Sequence, residues 1–130
     1  ISYAPIKNSK FIDDLSPLSG LNAMKILHLS WTLARDISPL STLRSLRELG
    51  LSSTKVSDLK PLTNLNSLIS LGLSSTKISN LSPLTGLGGL QNLHISSNHI
   101  KDIAPLSSLS LLRTLNLSST QVIDISPLSC

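Results

Sequence analysis

One line of sequence recurs along this chain at a constant interval, and that interval constrains the fold more than any other feature. Prolines followed by leucine recur with a constant 22-residue period, at Pro17, Pro39, Pro61, Pro83, Pro105 and Pro127. An aspartate or asparagine stands three residues before each proline, at Asp14, Asp36, Asp58, Asn80, Asp102 and Asp124. A constant period without insertions indicates stacked supersecondary units, each of which buries its apolar face against its neighbours.

The repeat divides residues 1–130 into units of a single domain. Full units begin at Met24, Leu46, Leu68 and Leu90, and a partial unit covers residues 112–130. Residues 1–23 form an irregular first unit, because strict spacing puts Pro5 at position 4 and Lys7 at position 6, where later units carry leucine or isoleucine. Each unit is named here by its first residue, which is position 1.

The pattern within a unit predicts a short strand followed by a turn. Positions 4 and 6 are aliphatic and alternate with polar or small residues, which is the period of a strand with one buried face. Position 9 is threonine or asparagine, which stacking turns inward and which must then be hydrogen-bonded. Positions 11 and 14 are aliphatic in most units, and the Ser-Pro-Leu that follows predicts a helical or 3₁₀ turn, with serine as the cap and proline at its start.

These residues form the line L-x-x-L-x-L-x-x-[T/N]-x-[I/V]-x-[D/N]-[L/I]-x-P-L-x-x-L, which resembles the leucine-rich repeat proteins over residues 11–128. The 22-residue unit with D-[L/I]-x-P-L is similar to the internalin-like class of bacterial and protozoan surface proteins. The resemblance implies an α/β solenoid, a horseshoe with a parallel β-sheet on its concave face and short 3₁₀ or helical turns on its convex face. One departure is systematic: the asparagine usual in the family at position 9 occurs only as Asn98.

The resemblance also implies a non-catalytic module that binds a protein or glycan partner through the concave face, in an extracellular or cell-surface setting. The exposed strand positions then supply the candidate binding residues. These are Ile26, His28, Trp31, Arg47, Glu48, Ser70, Asn92, His94, Thr114 and Asn116.

Trp31 stands out because position 8 is serine in each of the four following units. An exposed tryptophan beside Ile26 and His28 has the composition of an interface hot spot. Alternatively, Trp31 packs near Phe11 or Tyr3 and covers the irregular first unit.

Composition argues against several other functions. The net charge of +4 comes from scattered lysines and arginines, and with three aromatic residues there is no stacking platform, so we expect no nucleic-acid partner. No apolar run is long enough to span a membrane. His28, His94 and His99 do not converge, and no phosphate loop, C-x-x-C or H-E-x-x-H occurs, so we expect no catalytic residue, metal ion or cofactor. Cys130 is the single cysteine, which leaves open whether it is free or cross-linked.

Three alternatives to an interaction module stay open. The uniform serine surface suits a structural spacer, the chain could be the substrate-recognition segment of a larger protein such as an enzyme, and the repeated hydroxyls could order water or ice.

We expect the chain to be a fragment without caps, because it ends within a repeat. A last unit without a neighbour would leave its core side chains bare, and association through that end would follow. The side chains concerned are Leu115, Leu117, Val122, Ile125 and Leu128.

Overall fold

The computed structural model describes residues 13–129, together with the backbone of residues 3–5. Six parallel strands form one sheet in chain order, β1 to β6. They are Tyr3–Pro5, Ile26–His28, Glu48–Gly50, Ser70–Gly72, Asn92–His94 and Thr114–Asn116. Short 3₁₀ turns alternate with the strands, at Ser16–Leu18, Ser38–Leu40, Lys60–Leu62, Ser82–Leu84, Ala104–Ser108 and Ser126–Leu128. The sheet lines the concave face of a leucine-rich repeat solenoid and the turns line its convex face, as predicted.

Register is constant from β2 onward. Leu27 is paired with Leu49, which is paired with Leu71, so the strands follow one another at the period of the sequence repeat. The first pair differs, because Ala4 and not Pro5 lies opposite Leu27. The position-4 assignment of Pro5 was therefore wrong by one residue, and the connection between β1 and β2 is one residue longer than the others. Among the described strands β1 pairs with β2 alone, and a strand at the edge of a sheet tolerates a proline that lacks the N–H.

Aliphatic side chains form columns that run through the stack of units. The leucines at position 4 from Leu27 to Leu93 are at most 1% exposed, as are the side chains at positions 1 and 6 of the same four units. Each fully buried leucine contributes roughly 1.5–3 kcal/mol. That contribution requires a neighbouring unit on both sides, so the stability of the fold comes from contacts between adjacent units.

The polar residues at position 9 are buried and bonded. Thr32, Thr54, Thr76 and Asn98 are 3–7% exposed. The threonine hydroxyls bond mainly within their own unit, as Thr54 does with the carbonyl of Leu51 at 2.7 Å. Asn98 reaches further: its Nδ2 donates to the Leu73 carbonyl of the preceding unit at 2.8 Å, and its Oδ1 accepts from the N–H of Thr76. Substitution of asparagine by threonine thus removes a bond between units, as the smaller set of donors in threonine predicts.

Each 3₁₀ turn is capped by the acid or amide at position 13. The Asp36 Oδ1 accepts the N–H of Ser38 at 2.9 Å, and the same bond recurs in the other five turns, with Asn80 in place of aspartate once. The serine was predicted to be the cap, but it is the first residue of the turn, and its N–H donates to the acid or amide two residues earlier, as in Ser38–Leu40 and Ser82–Leu84. Aspartate caps the turn because its carboxylate accepts the backbone N–H two residues later, an arrangement called an Asx turn. Proline then occupies the start of the turn as predicted.

The aliphatic side chains of the last described unit are less buried than those of the four units before it. Leu115, Leu117 and Val122 are half-buried, whereas Ile125 is 64% and Ile123 98% exposed. The expectation of bare core side chains at this end is confirmed for Ile125 and Leu128 and is only partly met by the other three. Those three retain the cover of the preceding unit.

Candidate functional site

Five of the predicted binding residues form one row across the sheet. They occupy position 3 of successive units and are paired in register, as Ile26, Glu48, Ser70, Asn92 and Thr114. Because adjacent strands lie about 4.8 Å apart, neighbours in this row are close enough for one ligand group to contact two of them. The row changes from apolar to acidic to neutral polar along the stack.

A second row, at position 5, contains His28, Gly50, Gly72, His94 and Asn116. The two glycines leave a low region between His28 and His94. A Cβ at Gly50 would lie 3.2 Å from the Ser30 Oγ, and a Cβ at Gly72 would lie 3.2 Å from the Ser52 Oγ. The missing side chains therefore make room for serine hydroxyls of the preceding unit.

Those serines, at position 7, form a row of hydroxyls. The Ser96 Oγ donates to the Ser74 Oγ at 2.9 Å, and the Ser74 N–H donates to the Ser52 Oγ at 3.2 Å. Bonds between units thus occupy part of the hydrogen-bonding capacity of this row. It is accordingly less available to an external ligand than an isolated serine would be.

His28 and Glu48 are joined across the two rows. The Nε2 of His28 lies 2.9 Å from the Oε1 of Glu48, and both side chains are a little under half exposed. An ion pair at this exposure contributes at most about 1 kcal/mol, and it carries full charge only when the histidine is protonated. Its main effect is to fix the carboxylate of Glu48 beside β2.

A groove of about 500 Å³ lies along the first residues of strands β2 to β5. It is lined by Lys25, Ile26, Arg47, Glu48, Ile69, Ser70 and Asn92. Five of the ten predicted residues meet there, and Lys25 and Ile69 join them from position 2. A strict period-2 pattern would place position 2 on the buried face with position 4, but Lys25 and Ile69 are exposed, so the alternation does not extend to position 2.

The remaining predicted residues lie elsewhere. His94, Thr114 and Asn116 are on β5 and β6 outside the groove, and His28, which is also outside its lining, is joined to it by the pair with Glu48. Trp31 follows β2 by three residues, is 74% exposed and has a φ of 64°. The alternative in which Trp31 packs on Phe11 or Tyr3 concerns side chains outside the described residues.

The described residues give no arrangement suited to metal binding. Within residues 13–129 no group of three or more histidine, cysteine, aspartate or glutamate side chains is placed to hold a metal ion. The helical turns of this part of the chain are three to five residues long, and none has the length or hydrophobicity to cross a membrane.

Comparison with known proteins agrees with this geometry. The family model for two copies of the leucine-rich repeat matches residues 89–130. The structure is similar to internalin C2 from Listeria monocytogenes, with 34% identity and a TM-score of 0.89 over 91% of this chain and 52% of that one. Internalin F from the same organism gives 37% identity and a TM-score of 0.87 over 90% of this chain and 34% of that one.

A leucine-rich repeat protein of Leptospira interrogans is also similar, with 26% identity and a TM-score of 0.73 over 78% of this chain and 27% of that one. No curated protein matches the chain. The chain spans about half the length of internalin C2 and about a third of internalin F. With its 22-residue units, parallel sheet and 3₁₀ turns, the chain has the leucine-rich repeat solenoid fold and is similar to the internalins.

Proposed function

We propose that this chain is a non-catalytic protein-interaction module that binds its partner through the concave sheet, with the groove at the start of β2 to β5 as the centre of the interface. Leucine-rich repeat proteins are in general protein-interaction modules. The observation that carries the proposal here is the groove itself, where apolar and charged side chains converge on one concave surface.

The side chains that line the groove favour a particular partner chemistry. Ile26 and Ile69 provide apolar contact, and Ile69 is 36% exposed although it is a large aliphatic residue. Lys25 and Arg47 lie beside them and are exposed. Glu48 is already held by His28, so its charge is partly compensated when the histidine is protonated. The groove therefore suits a protein segment that presents an aliphatic or aromatic side chain next to a carboxylate.

The other exposed residues of the sheet complete the interface. His94, Thr114 and Asn116 are polar and lie beyond the groove on β5 and β6. Such positions form the polar rim that surrounds the apolar centre of an interface, where single substitutions change the affinity little. We assign the larger share of the binding free energy to Ile26, Arg47 and Ile69.

A selection from a phage-displayed library of random dodecapeptides tests the proposal. The purified chain is used as bait, and the dissociation constants of enriched peptides are then measured by fluorescence polarisation. We expect peptides with acidic and apolar residues, bound at least about tenfold more weakly by Arg47→Glu and by Ile69→Ser. The matched control is Lys60→Glu, which makes the same charge change on a convex 3₁₀ turn and should leave the affinity unchanged.

Two results would contradict the proposal. If no peptide is enriched over an uncoated surface, the groove does not select a protein segment, and the spacer alternative gains support. If Lys60→Glu weakens binding as much as Arg47→Glu, the interaction depends on net charge and not on the groove. Enrichment on a glycan array, with loss in Arg47→Glu, would replace the protein partner by a glycan at the same surface.

A further inference from the structure

The Met24 unit differs from all following units at two neighbouring positions of one edge. Positions 8 and 10 are Trp31 and Leu33 in this unit. The later units have serine at position 8 and a polar residue at position 10, as Ser53 and Lys55, Ser75 and Lys77, Ser97 and His99, and Ser119 and Gln121. The fold is the same in each unit, so the two apolar residues are not required by the backbone.

Both side chains are presented to solvent. Trp31 is 74% and Leu33 43% exposed, while Thr32 and Ala34 between and after them are buried. This alternation places the side chains at positions 8, 10 and 12 outward. The Cα atoms of Trp31 and Leu33 are two residues apart and therefore at most about 7 Å from each other, so the two side chains are neighbours on the surface. Together they make an exposed apolar patch at the edge that follows β2.

Trp31 also occupies an unfavourable backbone conformation. All five position-8 residues have positive φ, from 55° to 64°, and Trp31 has the largest value. The left-handed region is uncommon for residues other than glycine, and a bulky residue there is an outlier. Strained residues of this kind concentrate at ligand-binding sites. An exposed tryptophan at such a position adds strain while burying little surface of its own.

Two cations flank the patch. Arg35 stands at position 12 of the same unit, and the N–H of Lys55 donates to the Ala34 carbonyl at 2.8 Å, which holds Lys55 beside Leu33 and Arg35. Within residues 13–129 neither cation lies within 4.0 Å of a carboxylate. The nearby aspartates, Asp36 and Asp58, use their Oδ1 atoms to cap turns.

We propose that Trp31, Leu33, Arg35 and Lys55 form a second docking surface, separate from the groove, for an acidic protein segment that carries an apolar side chain. The tryptophan and leucine take up the apolar group, and the arginine and lysine pair with carboxylates of the partner. Trp31 lies five positions after Ile26 of the groove, up to roughly 17 Å away at strand spacing, so the two surfaces are separable by experiment.

The double variant Trp31→Ser/Leu33→Lys is the principal test, because it copies Ser53 and Lys55 of the next unit and should therefore fold. Dodecapeptides without tryptophan are selected by phage display on the wild-type chain, with counter-selection on the double variant. We expect acidic peptides with aromatic or aliphatic residues, bound about 30-fold more weakly by the double variant, as for a hot spot of about 2 kcal/mol. Arg47→Glu, in the groove, should leave their affinity unchanged.

Intrinsic fluorescence gives a second readout, because Trp31 is the only tryptophan in the chain. Peptides that dock on the patch should shift its emission to shorter wavelength, whereas peptides that bind only the groove should not. The proposal is overturned if no selected peptide distinguishes the double variant from wild type, or if the selected peptides are basic. A shift produced by phosphatidylserine vesicles and by none of the peptides would also overturn it, in favour of a lipid surface.

Discussion

Single residues at position 8 show how far local backbone geometry constrains side-chain choice. Serine at Ser53, Ser75, Ser97 and Ser119 looks in the sequence like a uniform polar coating of the sheet. In the structure each of these residues has a φ of 55–57°, and the N–H groups of Ser53, Ser75 and Ser97 donate to carbonyls of the next unit. Position 8 therefore lies in the turn that follows the strand, and a small side chain there limits the cost of the left-handed conformation.

Substitution at Ser75 should reveal that cost. Ser75→Val places a β-branched residue in the left-handed region and should lower the free energy of unfolding by about 1–2 kcal/mol. Ser75→Gly should change it by less than about 1 kcal/mol, because relief of strain is offset by the greater entropy of the unfolded chain. Urea unfolding followed by circular dichroism measures both.

Ser79→Val provides the control, since Ser79 is also exposed but does not have a positive φ. It should change the stability by no more than about 0.5 kcal/mol. Equal losses in Ser75→Val and Ser79→Val would mean that valine is unfavourable at the surface for another reason, and the argument from backbone conformation would fail.

Among the structural elements, the 3₁₀ turn depends on a carboxylate that the sequence pattern marked without revealing its role. Asp36 accepts the Ser38 N–H, and this bond, followed by the Ser38 hydroxyl, holds the pKa of Asp36 below its ordinary value of 3.8. The pKa values of Asp14 and Asp124 are lowered in the same way by Ser16 and Ser126. A depressed pKa in the folded state means that the ionised caps favour folding above the unfolded-state pKa.

This contribution should be lost as the pH falls through the folded-state pKa values of these caps, below about pH 4. The triple variant Asp14→Asn/Asp36→Asn/Asp124→Asn keeps an amide oxygen at each cap, as Asn80 does naturally, but cannot titrate there. Its stability should therefore decline less than that of wild type between about pH 5 and pH 3. Urea midpoints at a series of pH values measure the difference.

Asp13→Asn removes one charge at a position that does not cap a turn and should follow the wild-type profile more closely than the triple variant does. A triple variant whose stability declines as steeply as wild type would show that other groups dominate acid unfolding. The caps would then stabilise the fold through their hydrogen bonds, and their ionisation would not set the pH dependence of the stability.

The strands and turns could be predicted from the sequence, whereas the side-chain arrangements between strands could not. Strands, turns and buried columns followed from spacing, because each unit repeats the same pattern of aliphatic positions and every repeat adds to the signal. The His28–Glu48 pair depends on rotamers of two side chains in different units, and the groove depends on which exposed side chains are adjacent across strands. Neither is encoded in the repeat, since both arise where the units differ.

At the scale of the whole molecule, stability is distributed along the stack, and the last described unit differs from the middle ones. Side chains at positions 4 and 6 are buried from Leu27 to Ile95, while the same positions in the Leu112 unit are only half-buried. Exposed Leu111, Ile123, Ile125 and Leu128 lie in that last part of the chain. Exposed apolar side chains in this number favour association in solution.

We expect the 130-residue chain to associate as its concentration rises, through the surface that includes Ile123 and Ile125. The double variant Ile123→Lys/Ile125→Lys should reduce the apparent mass measured by static light scattering, because it replaces exposed apolar surface by charge. The matched control, Thr63→Lys/Asn64→Lys, adds the same charge at exposed convex positions and should not. If both variants reduce association equally, general charge repulsion and not this surface is responsible.

The constant register from β2 to β6 also has a consequence for how such a chain can change over generations. Because every strand from Glu48 to Asn116 follows its neighbour at the same interval, equivalent points in two units are interchangeable in backbone geometry. In-frame recombination between the DNA segments that encode two units would lengthen or shorten the protein by whole units and leave each junction intact. The surface residues that differ between units, such as Trp31 or Arg47, would then be duplicated, lost or moved relative to one another while the scaffold is preserved.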